Sequence, residues 1–178
     1  MTYTSEYKSP MGLITIASDG TSIIGLWNEG QKYFAATLGE DTSTGHDLDI
    51  FCRTNAWLDE YFAGKNPDVK ILSLAPKGSE FRQRVWEILL AIPYGGLMTY
   101  GEIAKEMAKI TGKKASAQAV GGAVGHNPIS IIIPCHRVVG TGGSLTGYAG
   151  GIDKKIKLLE LEGVCMDGLF VPKKGTAL

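Results

Sequence analysis

The stretch Ile131-Ile132-Ile133-Pro134-Cys135-His136-Arg137-Val138-Val139 constrains this chain more than any other. Three consecutive isoleucines are too apolar to sit in water, so they predict a buried strand or extended core segment. Pro134 fixes φ near about −65° and offers no N–H, which ends regular pairing. Cys135 follows at the point where the chain leaves the core, and His136 and Arg137 set two cationic or proton-handling groups beside the thiol. Two readings fit that cysteine. Free cysteine is among the most buried residue types, so it can be a packing residue. A thiol becomes a nucleophile as thiolate, which nearby His or Arg favours by lowering its pKa. The second reading carries a geometric condition. Side chains alternate faces along an extended segment, so Cys135 and His136 cooperate only if the backbone turns between them or a water bridges them.

Charge is unevenly spread around a net of zero. Residues 1–79 hold six basic and ten acidic side chains, a net of −4; the rest hold twelve and eight, a net of +4. A basic back half points to an anionic partner there, although solvated surface gives the same pattern. The chain of 178 residues suits one domain or two small ones, and no apolar run reaches membrane-spanning length. Cys52, Cys135 and Cys165 are an odd set without a close pair, and the first residues lack the basic and apolar regions of a signal peptide. Both features predict a reducing, cytoplasmic setting. No CxxC or HxxxH spacing predicts a metal site, and none is expected.

Residues 3–28 predict a three-stranded antiparallel sheet: Tyr3–Lys8, a Ser9-Pro10-Met11-Gly12 turn, Leu13–Ala17, an Asp19-Gly20 hairpin, and Ser22–Trp27. Residues 29–46 are polar and predict loop with a short helix; His46 is expected to be exposed. Asp49–Phe62 carries apolar residues at helical spacing, and 65–77, with Pro67 and Pro76, reads as a linker. Ser79 predicts an N-cap for a helix whose buried stripe is Phe81, Val85, Ile88, Leu89 and Ile92. Thr99-Tyr100-Gly101-Glu102 fits a capping box, opening a helix with Ile103, Ala104, Met107 and Ile110 inward. A basic loop holding Lys113 and Lys114 leads to Ser116, which caps a short Ala- and Gly-rich helix over 117–124. Helix, turn, short small-residue helix is a helix-turn-helix pattern, and ordinary helix packing gives the same signal. A last helix spans Asp153–Glu162 with Ile152, Ile156 and Leu159 inward; 164–178 read as strand or tail. Trp27, Trp57 and Trp86 are expected in the core.

Pro134-Cys135-His136-Arg137-Val138-Val139 resembles the active-site motif of the O6-alkylguanine-DNA alkyltransferases, the methylated-DNA–protein-cysteine methyltransferases. Pro93-Tyr94-Gly95, Thr99–Ala104, Ala119–Ala123, Asn127-Pro128, Gly147–Gly151 and Leu158-Leu159 fit the family in order, so the likeness covers residues 80–163, and the front part resembles bacterial members more loosely. The resemblance implies an α/β chain of two small domains. Residues 1–78 would form an α/β, ribonuclease H-like domain with the three-stranded sheet. Residues 79–178 would form a mainly helical domain with the helix-turn-helix, DNA binding and alkyl transfer.

The resemblance also implies roles. Cys135 accepts the alkyl group, His136 takes the thiol proton, and Glu162 orients that histidine. Tyr100 crowds the flipped nucleotide and donates a proton to the leaving guanine. Gln118 stands on the recognition helix where the family has an intercalating arginine. Asn127 ties the end of that helix to the site. Val138, Tyr148 and Ala149 wall the base pocket. Lys113, Lys114 and Arg137 are candidates for phosphate contact, while the family pattern has Arg137 joining the two domains. The expected partner is double-stranded DNA containing O6-alkylguanine, taken by a monomer without cofactor; acceptance of O4-alkylthymine stays open. Departures are Gln118 for arginine, which removes charge and planar stacking, Ala149 where some members have serine, and a longer loop over 109–115. Two rival readings stay open: a damage sensor that flips the base without transfer, and a Cys-His-Glu hydrolase that turns over repeatedly.

Overall fold

The computed structural model describes residues 1–39, 41–44 and 47–173, so His46 lies outside the described residues. The chain divides into two compact units: residues 1–77 with 128–132, and residues 78–127 with 133–178.

In the first unit, strands β1 (Thr2–Ser9), β2 (Gly12–Ser18) and β3 (Ile23–Asn28) form an antiparallel meander. The hairpin at Asp19 is made by its carboxylate, which accepts from the N–H groups of Thr21 and Ser22, while Gly20 takes φ +106°. A fourth strand, β4 (Thr42–Thr44), pairs parallel to β1, giving the order β3-β2-β1-β4. The sheet is therefore four-stranded rather than three-stranded. A Thr-Ser-Thr segment among polar residues has no apolar alternation to announce it. Residues 32–37 form turns, not the short helix expected there.

Helix α1 (Asp49–Phe62) packs on β1 and β2 through Phe51, Trp57, Leu58 and Tyr61. It faces Ile14 and Ile16, which lie on one side of β2 by its two-residue period. The expected linker is pinned in place, because Ile23 donates to the Ser73 carbonyl and Ala75 donates to that of Ile23. Residues 128–132, expected in the back domain, pair with β3: Leu26 donates to Pro128, and Ser130 donates to Leu26.

The isoleucine run is buried, as its apolarity requires, but it is not a strand. Ile132 donates back to Ser130, and Cys135 donates back to Ile133. Ile131 takes φ +71°, a conformation that costs a β-branched residue on the order of 1–3 kcal/mol. The chain coils through this stretch and delivers Cys135 into a 3₁₀ turn, Cys135–Arg137.

In the second unit, Ser79 caps helix α2 (Glu80–Leu90), whose Trp86 is buried and donates to the Ala123 carbonyl at 2.9 Å. Strand β5 (Met98–Thr99) runs straight into helix α3 (Tyr100–Thr111). The capping box is reciprocal: Thr99 N donates to Glu102 Oε2 at 2.7 Å, and Glu102 N donates to Thr99 Oγ1 at 3.1 Å. Helix α3 buries Ile103, Ala104 and Met107, but Ile110 is 54% exposed because the helix runs past its support. Gly112, at φ +68°, ends it; Ser116 Oγ then accepts from Ala119 N and opens helix α4 (Ala117–Gly125). Helices α2 and α3 both pack on α4.

After the 3₁₀ turn, strand β6 (Val138–Val139) pairs parallel with β5, matching Met98 to Val138 and Thr99 to Val139. Helix α5 (Ile152–Leu161) closes the unit, with Glu162 as its C-cap. Its buried residues are Lys155, Leu158 and Leu159, while Ile152 and Ile156 are only half-buried, so the inward face is rotated from the expected one. Phe170 bridges to Ser144, which ties part of the C-terminal stretch down.

Candidate active site

Cys135 is 3% exposed and His136 fully buried. The 3₁₀ turn meets the geometric condition set by their adjacency, since three residues per turn separates neighbours by about 120° rather than 180°. His136 Nε2 stands 2.6 Å from Glu162 Oε1. Burial raises the Glu162 carboxyl, but the His136 and Arg137 hydrogen bonds and Arg137's charge outweigh it and hold the group well below the usual carboxylate range. An ionised carboxylate only accepts, so Nε2 carries the ring proton and Nδ1 is the basic nitrogen.

Glu162 is placed by more than helix α5. Arg137 donates from Nε to Oε2 at 2.8 Å and from Nη2 to Oε1 at 3.0 Å. Gly95 N donates to Oε2 at 3.2 Å. Gly95 sits at φ +74°, where a Cβ would come 3.0 Å from the Glu162 carbonyl oxygen, so the Pro93-Tyr94-Gly95 turn needs glycine there. Tyr94 donates to the Leu161 carbonyl, and its ring lies 5.8 Å from the Arg137 guanidinium. Arg137 also donates to the Ile92 carbonyl at 2.6 Å, and its side chain is 11% exposed. The residue offered as a phosphate contact or interdomain tie is thus committed inside its own unit to Glu162. Spacing could not show this, because Arg137 and Glu162 lie far apart in sequence.

Burial makes the thiol harder to ionise. The Cys135 pKa is raised by desolvation, against the opposing pull of Asn127's hydrogen bond and Lys155's charge. His136 is lowered, again by burial first, with Glu162 opposing. The resting pair is therefore neutral thiol and neutral imidazole, and the expectation that flanking cations lower the thiol is corrected: burial raises it and outweighs Asn127's hydrogen bond and Lys155's charge. Asn127, 3% exposed, also donates to the Ile133 carbonyl at 2.8 Å, clamping the turn that carries the thiol.

Pairing of β5 with β6 brings the start of α3 alongside the thiol segment. Tyr100 follows Thr99 at once, and its hydroxyl donates to the Thr146 carbonyl at 3.1 Å. Desolvation raises its pKa further, so it stays a proton donor. Val138 and Tyr148 are buried, and Ala149 is half-exposed. Tyr100, Gly101, Gln118, Gly121, Thr141 and Thr146 line part of an open cleft of about 390 Å³. Gln118 is exposed on α4, and Lys113 and Lys114 are exposed on the turn before it. His126 caps α4, its Nδ1 standing 2.7 Å from the Gly122 carbonyl.

The sequence reading missed Lys155. It is fully buried, and its Nζ donates to the carbonyls of Val138 and Thr146. A signal was present: Lys155 interrupts the apolar set Ile152, Ile156, Leu159 on the face already assigned to the core.

Two family models match. One, for the ribonuclease-like domain of 6-O-methylguanine DNA methyltransferase, covers residues 2–76; the other, for its DNA binding domain, covers residues 80–164. A methylated-DNA–protein-cysteine methyltransferase of Methanosarcina acetivorans is 44% identical over 170 residues, spanning 92% of this chain and 99% of that one. One from Mycobacterium leprae is 41% identical over 162 residues, spanning 91% and 93%. Among solved structures, Mycobacterium tuberculosis OGT in complex with DNA matches with a TM-score of 0.76 at 42% identity, over 90% of this chain and 91% of that one.

Proposed function

The chain belongs to the 6-O-methylguanine DNA methyltransferases, and from that premise we propose that it reverses O6-alkylguanine damage in double-stranded DNA by moving the alkyl group irreversibly onto its own Cys135. The observation that carries the reading is a buried thiol beside a neutral histidine whose far nitrogen is held by an ionised glutamate. A guanine inside the duplex keeps its O6 substituent out of reach, so the nucleotide must first be extruded. Gln118 fills the gap left in the stack, while Lys113 and Lys114 hold phosphates. Val138, Tyr148 and Ala149 wall the extruded base.

Cys135 Sγ attacks the alkyl carbon in line as the carbon–oxygen bond breaks. Its proton passes to His136 Nδ1, directly or through a water, and Glu162 steadies the imidazolium that forms. The electron pair of the broken bond goes to the guanine, which takes a proton from Tyr100. The product at sulfur is a thioether, so each chain acts once. Unlike an acyl-transfer enzyme, this step builds no tetrahedral oxyanion, and the dry pocket suits an SN2 attack by a thiolate freed from water. We place the protein in the cytoplasm as a monomer; among the described residues no helix is long and apolar enough to cross a membrane.

The test is intact mass followed by peptide mapping after incubation with excess O6-methylguanine duplex. One methyl per chain, on the peptide holding Cys135, is expected. Bound DNA without a mass change makes the protein a damage sensor, and many products per chain make it a hydrolase.

A further inference from the structure

Residues 140–151 hold six glycines in twelve positions, and glycine loses more conformational freedom on ordering than any other residue. Such a loop keeps one shape only if something outside it holds it. Its own bonds are short-range: Gly140 donates to the Ser144 carbonyl at 2.7 Å, and Thr146 donates to the same carbonyl at 3.1 Å. The outside hold comes from the stretch after helix α5. Leu145 donates to the Phe170 carbonyl at 2.8 Å, and Phe170 donates back to the Gly143 carbonyl at 3.1 Å. A Cβ on Gly143 would lie 2.5 Å from the Gly168 carbonyl oxygen, so the two backbones meet at a point that only glycine fits. Leu145 is itself buried with Val139 and Leu159, and Val164, Met166 and Leu169 pack against that cluster. Val164 donates to the Leu159 carbonyl, which fixes the stretch to the end of α5. The residue after Leu145 is Thr146, whose carbonyl accepts the Tyr100 hydroxyl, and Tyr148 follows two positions on.

We propose that residues 164–170 are a positioning strap for the transfer: they hold the glycine-rich loop so that the Tyr100 hydroxyl and the Tyr148 wall stand in place before the extruded nucleotide arrives. This rests on the alkyl-transfer reading above. Leu169 and Phe170 are its positioning residues, the first through side-chain packing and the second through two backbone bonds. Neither meets the reacting atoms; they act on the loop, and the loop acts on the base. A loop ordered in advance spares the cost of ordering it at the moment of binding. Placement also matters for the rate, since a shift of about 1 Å at a reacting centre can cost about a hundredfold. Other groups serve the thiol and the duplex. Asn127 clamps the turn that carries Cys135, and Lys113 and Lys114 stand exposed before α4. Loosening the strap therefore reaches the base pocket and spares both.

The experiment compares the full chain with Gly143→Ala, which pushes the strap off the loop, and with Leu169→Ala, which removes its packing. Three quantities are read below the melting temperature of each protein: the single-turnover rate of methyl transfer from a saturating O6-methylguanine duplex, the affinity for an undamaged duplex, and S-alkylation of Cys135 by iodoacetamide, followed on the peptide that holds it. Both variants are expected to lose about tenfold or more in the transfer rate, as a misplaced pocket would, while duplex affinity and iodoacetamide alkylation stay within about twofold. Leu169→Met, which keeps the volume, is expected to recover most of the rate. A stretch that only added stability would lower the melting temperature and leave the saturating rate alone, so a folded Leu169→Ala with the wild-type rate overturns the proposal. A fall in transfer matched by an equal fall in iodoacetamide alkylation overturns it too, because the thiol turn would then be what moved. Should Gly143→Ala not fold, Leu169→Ala decides, since it trims a half-buried side chain and leaves the backbone bonds to the loop in place. A wild type that takes no methyl from the duplex removes the alkyl-transfer reading and this role together, whereas wild-type transfer beside an indifferent Leu169→Ala removes only the role of the strap.

Discussion

Glu162 is ionised, buried and shared among His136, Arg137 and Gly95. Glu162→Gln keeps the shape and removes the charge. It leaves Arg137 buried without its counter-ion, which costs about 3–5 kcal/mol in comparable buried pairs. It also withdraws the charge that steadies the histidine, so methyl transfer falls with stability. The pH dependence has two parts. His136 is lowered in the fold, so the unfolded chain takes up the extra proton below the ordinary 6.5, and stability drops as pH falls from there. Glu162 is lowered too, so its contribution is present above the ordinary 4.5 and is lost as pH falls toward its folded value. Urea midpoints measured against pH should show both steps in the wild type and only the first in Glu162→Gln. At the nucleophile, Cys135→Ala should abolish transfer and keep duplex binding, read by mass and by gel shift; transfer surviving in that variant would sink the assignment of Cys135.

Elements were legible wherever a local signal existed. The capping box at Thr99, the caps at Ser79 and Ser116, and the spacing over Asp49–Phe62 each reflect a contact made within a few residues, and the helices stand where those signals put them. What escaped depended on distant partners. Strand β4 exists because β1 offers an edge, and β5 and β6 exist because each finds the other. The isoleucine run coils because buried turns can satisfy their backbone with bonds to residues two positions back, which no periodicity reports. Gly25 belongs to the same class. It looks like a weak point in β3, yet a Cβ there would lie 1.9 Å from the Trp27 ring, which folds over it. Gly25→Ala must displace that indole from its contact with Ala17 and Ile24, so it should lower stability by about 1–3 kcal/mol, as overpacked cores do. Thermal melting checks this. On helix α4, Gln118→Arg restores charge and planar stacking at an exposed position, and transfer should be equal or faster. A large loss in single-turnover rate would mean that Gln118 makes a specific contact that arginine cannot.

For the whole molecule, charge is the property that sequence alone carries to function: −4 over residues 1–79 against +4 over the remainder. The excess matters only where side chains are free to meet a phosphate. Two basic residues of the back half are not: Arg137 is bound to Glu162, and Lys155 is sealed in the core. Counting charges therefore overstates the cationic surface, and only burial separates working lysines from structural ones. Lys113 and Lys114 are exposed at the N-terminal side of α4, in front of Gln118. If both neutralise phosphates, replacing the pair with alanine removes two counterion-releasing contacts, and the slope of log affinity against log salt should flatten by about 1.8. Phosphate contacts carry no base information, so affinity for an undamaged duplex and for an O6-methylguanine duplex should fall by the same factor. Titrations of both duplexes across a salt series check the two statements together. An unchanged slope would show that these lysines face solvent in the complex. A loss confined to the damaged duplex would instead put them at the extruded nucleotide, where recognition of the lesion takes place.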